Sequence, residues 1–248
     1  MNPDEMNGNR LYEVLRDEFR RTARANLLES DQVVVRAAAL SPEEAIGNPE
    51  HKDYPLVTGR ERLMQAEFRG CFGQAFTDHY GDFSARLSDI LAMELSDNFR
   101  RAVFVSSLNA LLRYLGLIDR TVHCRDGEPP QCADVLLAYL KERFADARIA
   151  MVGLQPRMVE RLSRGFELRV TDLDKDNIGT VKYATKIDGP EKTQENLAWC
   201  DLALVTGTTV VNSTLSQFIT SKPTIFYGVT IRGPAMLLSL DHFCECGH

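Results

Sequence analysis

No stretch of the 248-residue chain approaches the roughly 18 consecutive apolar residues that a membrane span requires, so a membrane partner is not expected. The first ten residues, MNPDEMNGNR, lack the apolar core of a secretory signal. A basic face is missing too. The formal net charge is −6 and the isoelectric point about 5.5, which argues against nucleic acid as the main partner. These absences place the expected location in the cytoplasm, where thiols stay reduced. Several catalytic spellings are also absent. There is no GxSxG elbow, no HExxH and no paired C-x-x-C of a structural zinc site.

What is present suits a globular protein with a real core. Hydrophobic residues make up 44% and charged residues 26%, and the length fits one large domain or two small ones. Apolar spacing predicts an amphipathic helix over residues 11–29, a strand at Val33-Val34-Val35 and a loop over 43–52. Short strands are expected over 54–77, interrupted by Gly59, Gly70 and Gly73. Helices are expected over 83–95 and 99–115. Residues 117–131, with Gly127, Pro129 and Pro130, read as a connector that divides a first part, 1–118, from a second, 119–248.

Beyond the connector the rhythm becomes regular. A helix over 131–144 precedes strands at 148–152, 166–170, 202–205 and 224–227. These alternate with helices at 157–163, 210–220 and 234–240. Such alternation predicts right-handed crossovers and a mostly parallel sheet. The fold class is therefore α/β: an amino-terminal α+β part followed by a Rossmann-like α/β domain.

Ligands of open parallel sheets bind beyond the carboxyl ends of the strands. The loops there hold Gly153 and Gln155, Asp172, the run Thr206-Gly207-Thr208, and Tyr227. The string TGTTVVNST, through Asn212, predicts a helix start whose free N–H groups would favour an anion. The same hydroxyls also suit plain helix capping. The first of these loops reads GLQP, not GxGxxG, which argues against NAD or FAD.

Six cysteines add a second set of candidates. His123 and Cys124 lie in the connector, Cys132 sits at the start of the next helix, and Cys244, Cys246 and His248 close the chain as CECGH. Thiolates and imidazole suit a transition metal ion. Cys132 also reads as a small buried hydrophobe, Cys244 and Cys246 as part of a loose tail, and Cys71 and Cys200 as core thiols. Cys124 beside His123 could be an activated nucleophile, although neighbours on an extended strand point opposite ways. His79 reads as a solvated or core histidine.

The strings GQAFTD (73–78), TVHCRDGEPPQCA (121–133), VGLQPRM (152–158), DLDKDNIG (172–179), VTGTTVVNSTL (205–215) and FYGVTIRGPAMLL (226–238) together resemble the heavy-metal-chelation family, a domain of unknown function. The resemblance runs from about residue 10 to the end, with the CECGH ending as a departure. It implies an enolase-N-terminal-like part, a Rossmann-like part and an active cleft between them. It also implies that Asn109, His123, Cys124, Gly153, Gln155, Asp172, Thr206, Gly207, Thr208, Asn212 and Tyr227 face that cleft. Three functions stay open: a metal-handling protein, an enzyme acting on a small anionic metabolite, and a chelatase-like cofactor-assembly protein. The expected partner is a small molecule or metal complex. A homo-oligomer is compatible with the sequence, and whether the chain is an enzyme is left open.

Overall fold

Apolar residues on one side of the first helical segment fix where the chain starts to pack. In the computed structural model, which describes residues 8–36, 40–58 and 61–248, helix α1 (Gly8–Ala25) buries Leu11, Leu15, Phe19 and Ala23. Strand β1 (Gln32–Arg36) follows, where Val33–Val35 predicts it. The expected loop over 43–52 instead begins with helix α2 (Pro42–Ile46), and the sequence carries the reason. Ser41 and Glu44 form a reciprocal capping box around Pro42. Helix α3 (Pro55–Thr58) leads to strands β2 (Arg62–Phe68) and β3 (Cys71–Thr77).

Gly59 lies outside the described residues, as does the amino-terminal string through Asn7. Gly70 forms the β2–β3 turn at φ 80°. Gly73 does not interrupt β3. A Cβ there would lie 2.2 Å from the Ala110 backbone nitrogen, so the glycine lets a helix lie against the strand.

The helix expected over 83–95 is divided into strand β4 (Phe83–Arg86) and a short helix, α4 (Leu87–Ala92). Residues 83–86 pair with β1 because β1 would otherwise expose an edge. The antiparallel sheet runs β3-β2-β1-β4. Helix α5 (Asn98–Tyr114), capped by Asp97, is buried all round from Ala102 to Leu112. It is therefore covered on every side.

The second sheet forms from helix α6 (Glu128–Arg143), β5 (Ile149–Val152), α7 (Pro156–Leu162), β6 (Leu168–Thr171), the hairpin β7 (Val181–Lys182) and β8 (Thr185–Asp188), α8 (Thr193–Trp199), β9 (Leu202–Thr206), β10 (Thr224–Tyr227), α9 (Arg232–Leu238) and β11 (His242–Phe243). The strand order is β11-β10-β9-β5-β6-β8-β7, parallel except where β7 meets β8. The α/β class and mostly parallel sheet are thus present. The β7–β8 hairpin, α8 and β11 were not read from the sequence; they are short and carry mixed polar and apolar residues.

Alternate residues of the central strands serve two cores. Ile149, Met151, Leu202, Leu204, Ile225 and Tyr227 pack with α6 and α7. Ala150, Ala203, Val205 and Phe226 face the other way and join one cluster with α1 and α5. The amino-terminal part thus covers a face of the parallel sheet that a free-standing domain would cover with its own helices.

The helix expected over 210–220 is absent. Gly207–Val210 and Leu215–Phe218 are single 3-10 turns, separated by Ser213 at φ 60°. Val210, Val211, Leu215 and Phe218 are all buried. Their burial on more than one side, not a helical stripe, explains the misleading apolar spacing. Among the described residues, no helix is long and apolar enough to cross a membrane.

Candidate functional site

The carboxyl ends of β5, β6, β9 and β10 open into a cavity of about 860 Å³. Its opposite wall comes from the amino-terminal part, through Tyr54, Leu56, Glu61, Phe76 and Asp78. The connector supplies His123 and Cys124 to the same cavity. The strand-end loops and the histidine–cysteine pair therefore share one space, as the sequence expectation requires.

Most of the strand-end candidates build loops as well as line the cavity. Gly153 adopts φ 89°. A Cβ there would come within 2.7 Å of Thr206 Cγ2 and 3.0 Å of the Tyr227 hydroxyl. Tyr227 donates its hydroxyl to Gly153 O at 2.8 Å. Burial pushes its pKa well above the ordinary phenol value. Gln155 caps α7, its Oε1 accepting from the Met158 N–H at 2.6 Å. Asp172 accepts from the Leu154 and Asp174 N–H groups at 2.5 and 2.7 Å. Burial nevertheless raises its pKa.

Thr206 caps the 3-10 turn, with its Oγ1 3.1 Å from Thr208 Oγ1. A Cβ on Gly207 would lie 2.9 Å from the backbone nitrogen and the Cβ of Ile231. Its small size therefore serves packing. Asn212 Oδ1 accepts from Asn98 Nδ2 at 3.3 Å, and Asn98 also donates to Asp78 Oδ1 at 2.6 Å. Because only a single 3-10 turn begins at Gly207, the expected helix-terminal anion site has little dipole behind it.

Asn109 is not at the cavity. Fully buried on α5, it donates to the carbonyls of Gln74, Val229 and Thr230 and accepts from the Gly233 N–H at 2.8 Å. Its role is to fasten β3 and the start of α9 to α5.

His123 and Cys124 do not form a catalytic dyad. His123 Nδ1 is buried without a hydrogen-bond partner. Burial lowers its pKa to about 4, so the ring is neutral. It meets the Phe76 ring edge-on at 5.4 Å. Cys124 is buried, and burial, followed by the neighbouring Cys132, Cys244 and Cys246, pushes its thiol far up from the usual range. An activated thiolate is the opposite arrangement. Cys132 and Cys244 also line the cavity. Among the described residues, no three His, Cys, Asp or Glu side chains are arranged to hold a metal ion.

The tail is not loose. His248 exchanges backbone hydrogen bonds with Val122 at 2.9 Å in both directions, and Arg120 pairs with Glu245 at 2.8 Å. Cys200 is a core thiol as expected, whereas Cys71 is only partly buried at the β2–β3 turn. His79 is solvated, its side chain 74% exposed beside Asp78.

Sequence reasoning named Asp172 but missed the other acids gathered around it. Glu61, Asp78, Asp172, Asp174 and Asp176 line the cavity with one lysine, Lys175, and no arginine among the described residues. Burial, then Asp172, Asp78 and Asp174, lifts the Glu61 carboxyl to about 7. The DxDxD spacing of 172–176 was visible in the sequence; Glu61 carries no such signal, because only the tertiary fold brings it to these strand ends.

The comparisons with known proteins agree with this architecture. Residues 136–247 match the DUF364 family model, described as "Putative heavy-metal chelation". A DUF364 protein of unknown function from Pyrococcus horikoshii is similar at 16% identity and a TM-score of 0.52, over 89% of this chain and 79% of that one. Another, from Desulfitobacterium hafniense DCB-2, is similar at 10% identity and a TM-score of 0.52, over 90% and 82%. At such identities these two likenesses show the fold. No protein of curated function matches the chain.

Proposed function

We propose that the cavity binds a metal ion of soft character or a cationic metal complex, a reading supported by the match of residues 136–247 to a family model described by heavy-metal chelation. The observation that carries this reading is the make-up of the lining: five carboxylates, Glu61, Asp78, Asp172, Asp174 and Asp176, together with His123 and the thiols of Cys124, Cys132 and Cys244, against a single lysine in the lining, Lys175, among the described residues. Carboxylates raise the local concentration of a cation. Thiols and imidazole then discriminate in favour of copper, zinc and their neighbours over magnesium or calcium. The same lining opposes a small anionic metabolite, and the single 3-10 turn at Gly207 supplies little of the helix dipole that would have favoured one.

The donors fit a soft metal in kind. His123 is already neutral, as a ligand must be, and its Nδ1 has no competing partner. Cys124, Cys132 and Cys244 would bind only on losing their protons, so loading should release protons.

A chelatase-like reading is the second one, and Glu61 favours it. A carboxyl with a pKa of about 7 exchanges protons near neutrality. The cavity volume of about 860 Å³ suits an organic ligand as well as an ion. A metal entering such a ligand displaces protons, and Glu61 is placed to accept them.

The test is a thermal-shift and calorimetric series on protein purified without oxygen, using copper(I), zinc(II), cobalt(II), nickel(II) and magnesium(II). A soft or borderline ion should raise the melting temperature and magnesium should not. If no ion raises it, or magnesium does so best, the reading is wrong.

A further inference from the structure

The β2–β3 ladder presents a graded face to the cavity. Arg62 pairs with Thr77 and Leu63 with Phe76, so Glu61 and Asp78 leave the sheet side by side, just past the last pair. Side chains alternate across a strand. Gly73, Ala75 and Thr77 therefore share one side of β3, where Gly73 meets helix α5. Gln74, Phe76 and Asp78 share the other side, and Phe76 and Asp78 line the cavity together with Glu61. The wall thus carries two carboxylates in one row and an apolar pair in the next, about 7 Å away along the strands.

Further apolar side chains extend the second row. Phe76 packs on the cluster that holds Ile46, Leu56 and Leu63, and Ile46 and Leu56 also reach the cavity. His123 donates its backbone N–H to Gln74 Oε1 at 2.7 Å and stands edge-on to Phe76 at 5.4 Å. Its Nδ1 is buried without a hydrogen-bond partner, an acceptor beside the apolar row that meets no donor.

These two rows set the kind of occupant. The cavity volume of about 860 Å³ falls within the range of about 300–1,000 Å³ that holds small organic molecules. A bare ion would leave the apolar row against water. The charged row calls for a cation. Asp78 accepts from Asn98 Nδ2 at 2.6 Å and meets His79 Nδ1 at 3.0 Å, both at Oδ1. Burial, and then the neighbouring carboxylates, hold the Glu61 carboxyl up at about 7, a crowding that a bound cation relieves.

We propose that the cavity binds an organic amine, with its protonated nitrogen over Glu61 and Asp78 and an aromatic or alicyclic body on Phe76, Ile46 and Leu56. The inference rests on the reading of this cavity as one that takes an organic ligand along with an ion, and it names the class of that ligand. The ammonium donates N–H bonds to the two carboxylates, and no covalent bond forms or breaks. Such a nitrogen, once it gives up its proton, is itself a donor for copper, zinc and their neighbours.

The experiment is saturation-transfer NMR and calorimetry on the full chain with three probes of one shape: phenylpropylamine, phenylpropanol and phenylpropanoate, each with its polar group on the terminal carbon. The amine should bind about tenfold tighter than the alcohol, and the carboxylate should not bind. Glu61→Gln should weaken the amine about tenfold and leave the alcohol unchanged. Glu94→Gln, which removes an exposed carboxylate outside the cavity lining, should alter neither. Phe76→Ala should weaken amine and alcohol alike; should it fail to fold, the probe series and Glu61→Gln still decide. Equal affinity for amine and alcohol, tightest binding of the carboxylate, or an amine affinity unchanged in Glu61→Gln overturns the proposal. The metal series answers separately. A metal shift without amine binding sinks this inference and leaves the soft-metal reading standing, whereas amine binding with no metal shift does the reverse.

Discussion

Arg157 on α7 donates to the Asp53 carboxylate at 2.7 Å, joining residues 104 apart in sequence. The guanidinium is only 2% exposed and also pairs with Glu160 at 2.7 Å. It lies against the rings of Tyr54 and Tyr183, at 5.8 and 5.1 Å. This knot fastens the segment bearing α3, which walls the cavity, to the parallel-sheet part.

Removing the guanidinium leaves Asp53 facing no cation, while Glu160 keeps Arg161 at 3.0 Å and Arg164 at 2.9 Å. Arg157→Met should therefore cost about 2 kcal/mol or more, the buried contacts of the guanidinium being lost with the pair. Asp53→Asn should cost about 1 kcal/mol, because Asp53 is 37% exposed and Glu160 still pairs with the arginine. Urea unfolding of both variants gives the comparison. Equal losses would show that the knot is not centred on Arg157.

Asn109 should behave as a fastener and not as a ligand. Asn109→Leu strands the carbonyls of Gln74, Val229 and Thr230 and the Gly233 N–H, which it now satisfies. A loss of roughly 3 kcal/mol is expected. Metal affinity of the fraction that remains folded should match wild type. A selective loss of affinity with unchanged stability would place Asn109 in the site after all.

Two buried histidines set an acid limit on stability. Burial lowers both His123 and His242 from 6.5 to about 4. Between those values the unfolded chain binds protons that the folded chain refuses. Stability is therefore full above pH 6.5 and falls as pH drops toward 4, by at most about 3 kcal/mol for each ring. His242 also holds the Gly228 carbonyl at 3.0 Å. His242→Asn should be less stable at pH 7.5 and lose stability less steeply between pH 6.5 and 4. An unchanged slope would mean that the ring is not buried neutral.

Glu61 sets the opposite dependence. Its folded pKa of about 7 lies above the ordinary 4.5, so the folded chain holds a proton that the unfolded chain has released. The stability this gives is complete below pH 4.5 and is lost as pH rises through 7. Glu61→Gln should match wild type at pH 4.5 and exceed it at pH 8 by on the order of 1–2 kcal/mol. Denaturation midpoints at the two pH values decide it. A variant no more stable at pH 8 would show that Glu61 is not crowded by Asp172, Asp78 and Asp174.

The parallel strands were legible because each is a short apolar run ending at a polar or glycine residue, as in Ile149–Gly153 and Thr224–Gly228. The capping box at Ser41 and Glu44 was equally legible and was passed over for the loop-like Gly47 and Pro49. Residues 210–220 misled for a different reason. Val210, Val211, Leu215 and Phe218 recur at helical spacing, but they are buried as separate turns. At the site, the cysteine positions were readable, while the meeting of Cys132 and Cys244 at one cavity was not, being closed across more than a hundred residues.

The sequence by itself determined the α/β class, the strand ends that bear polar residues, and the thiols and imidazole available as soft donors. Local patterns carry these properties, since apolar runs and turn residues act over a few positions. Only the tertiary structure decided that Glu61 joins the Asp172 carboxylates, that Asn109 is a fastener, and that the tail packs on the connector. Each of those depends on contacts between distant segments, and burial there, not residue type, sets which groups stay neutral.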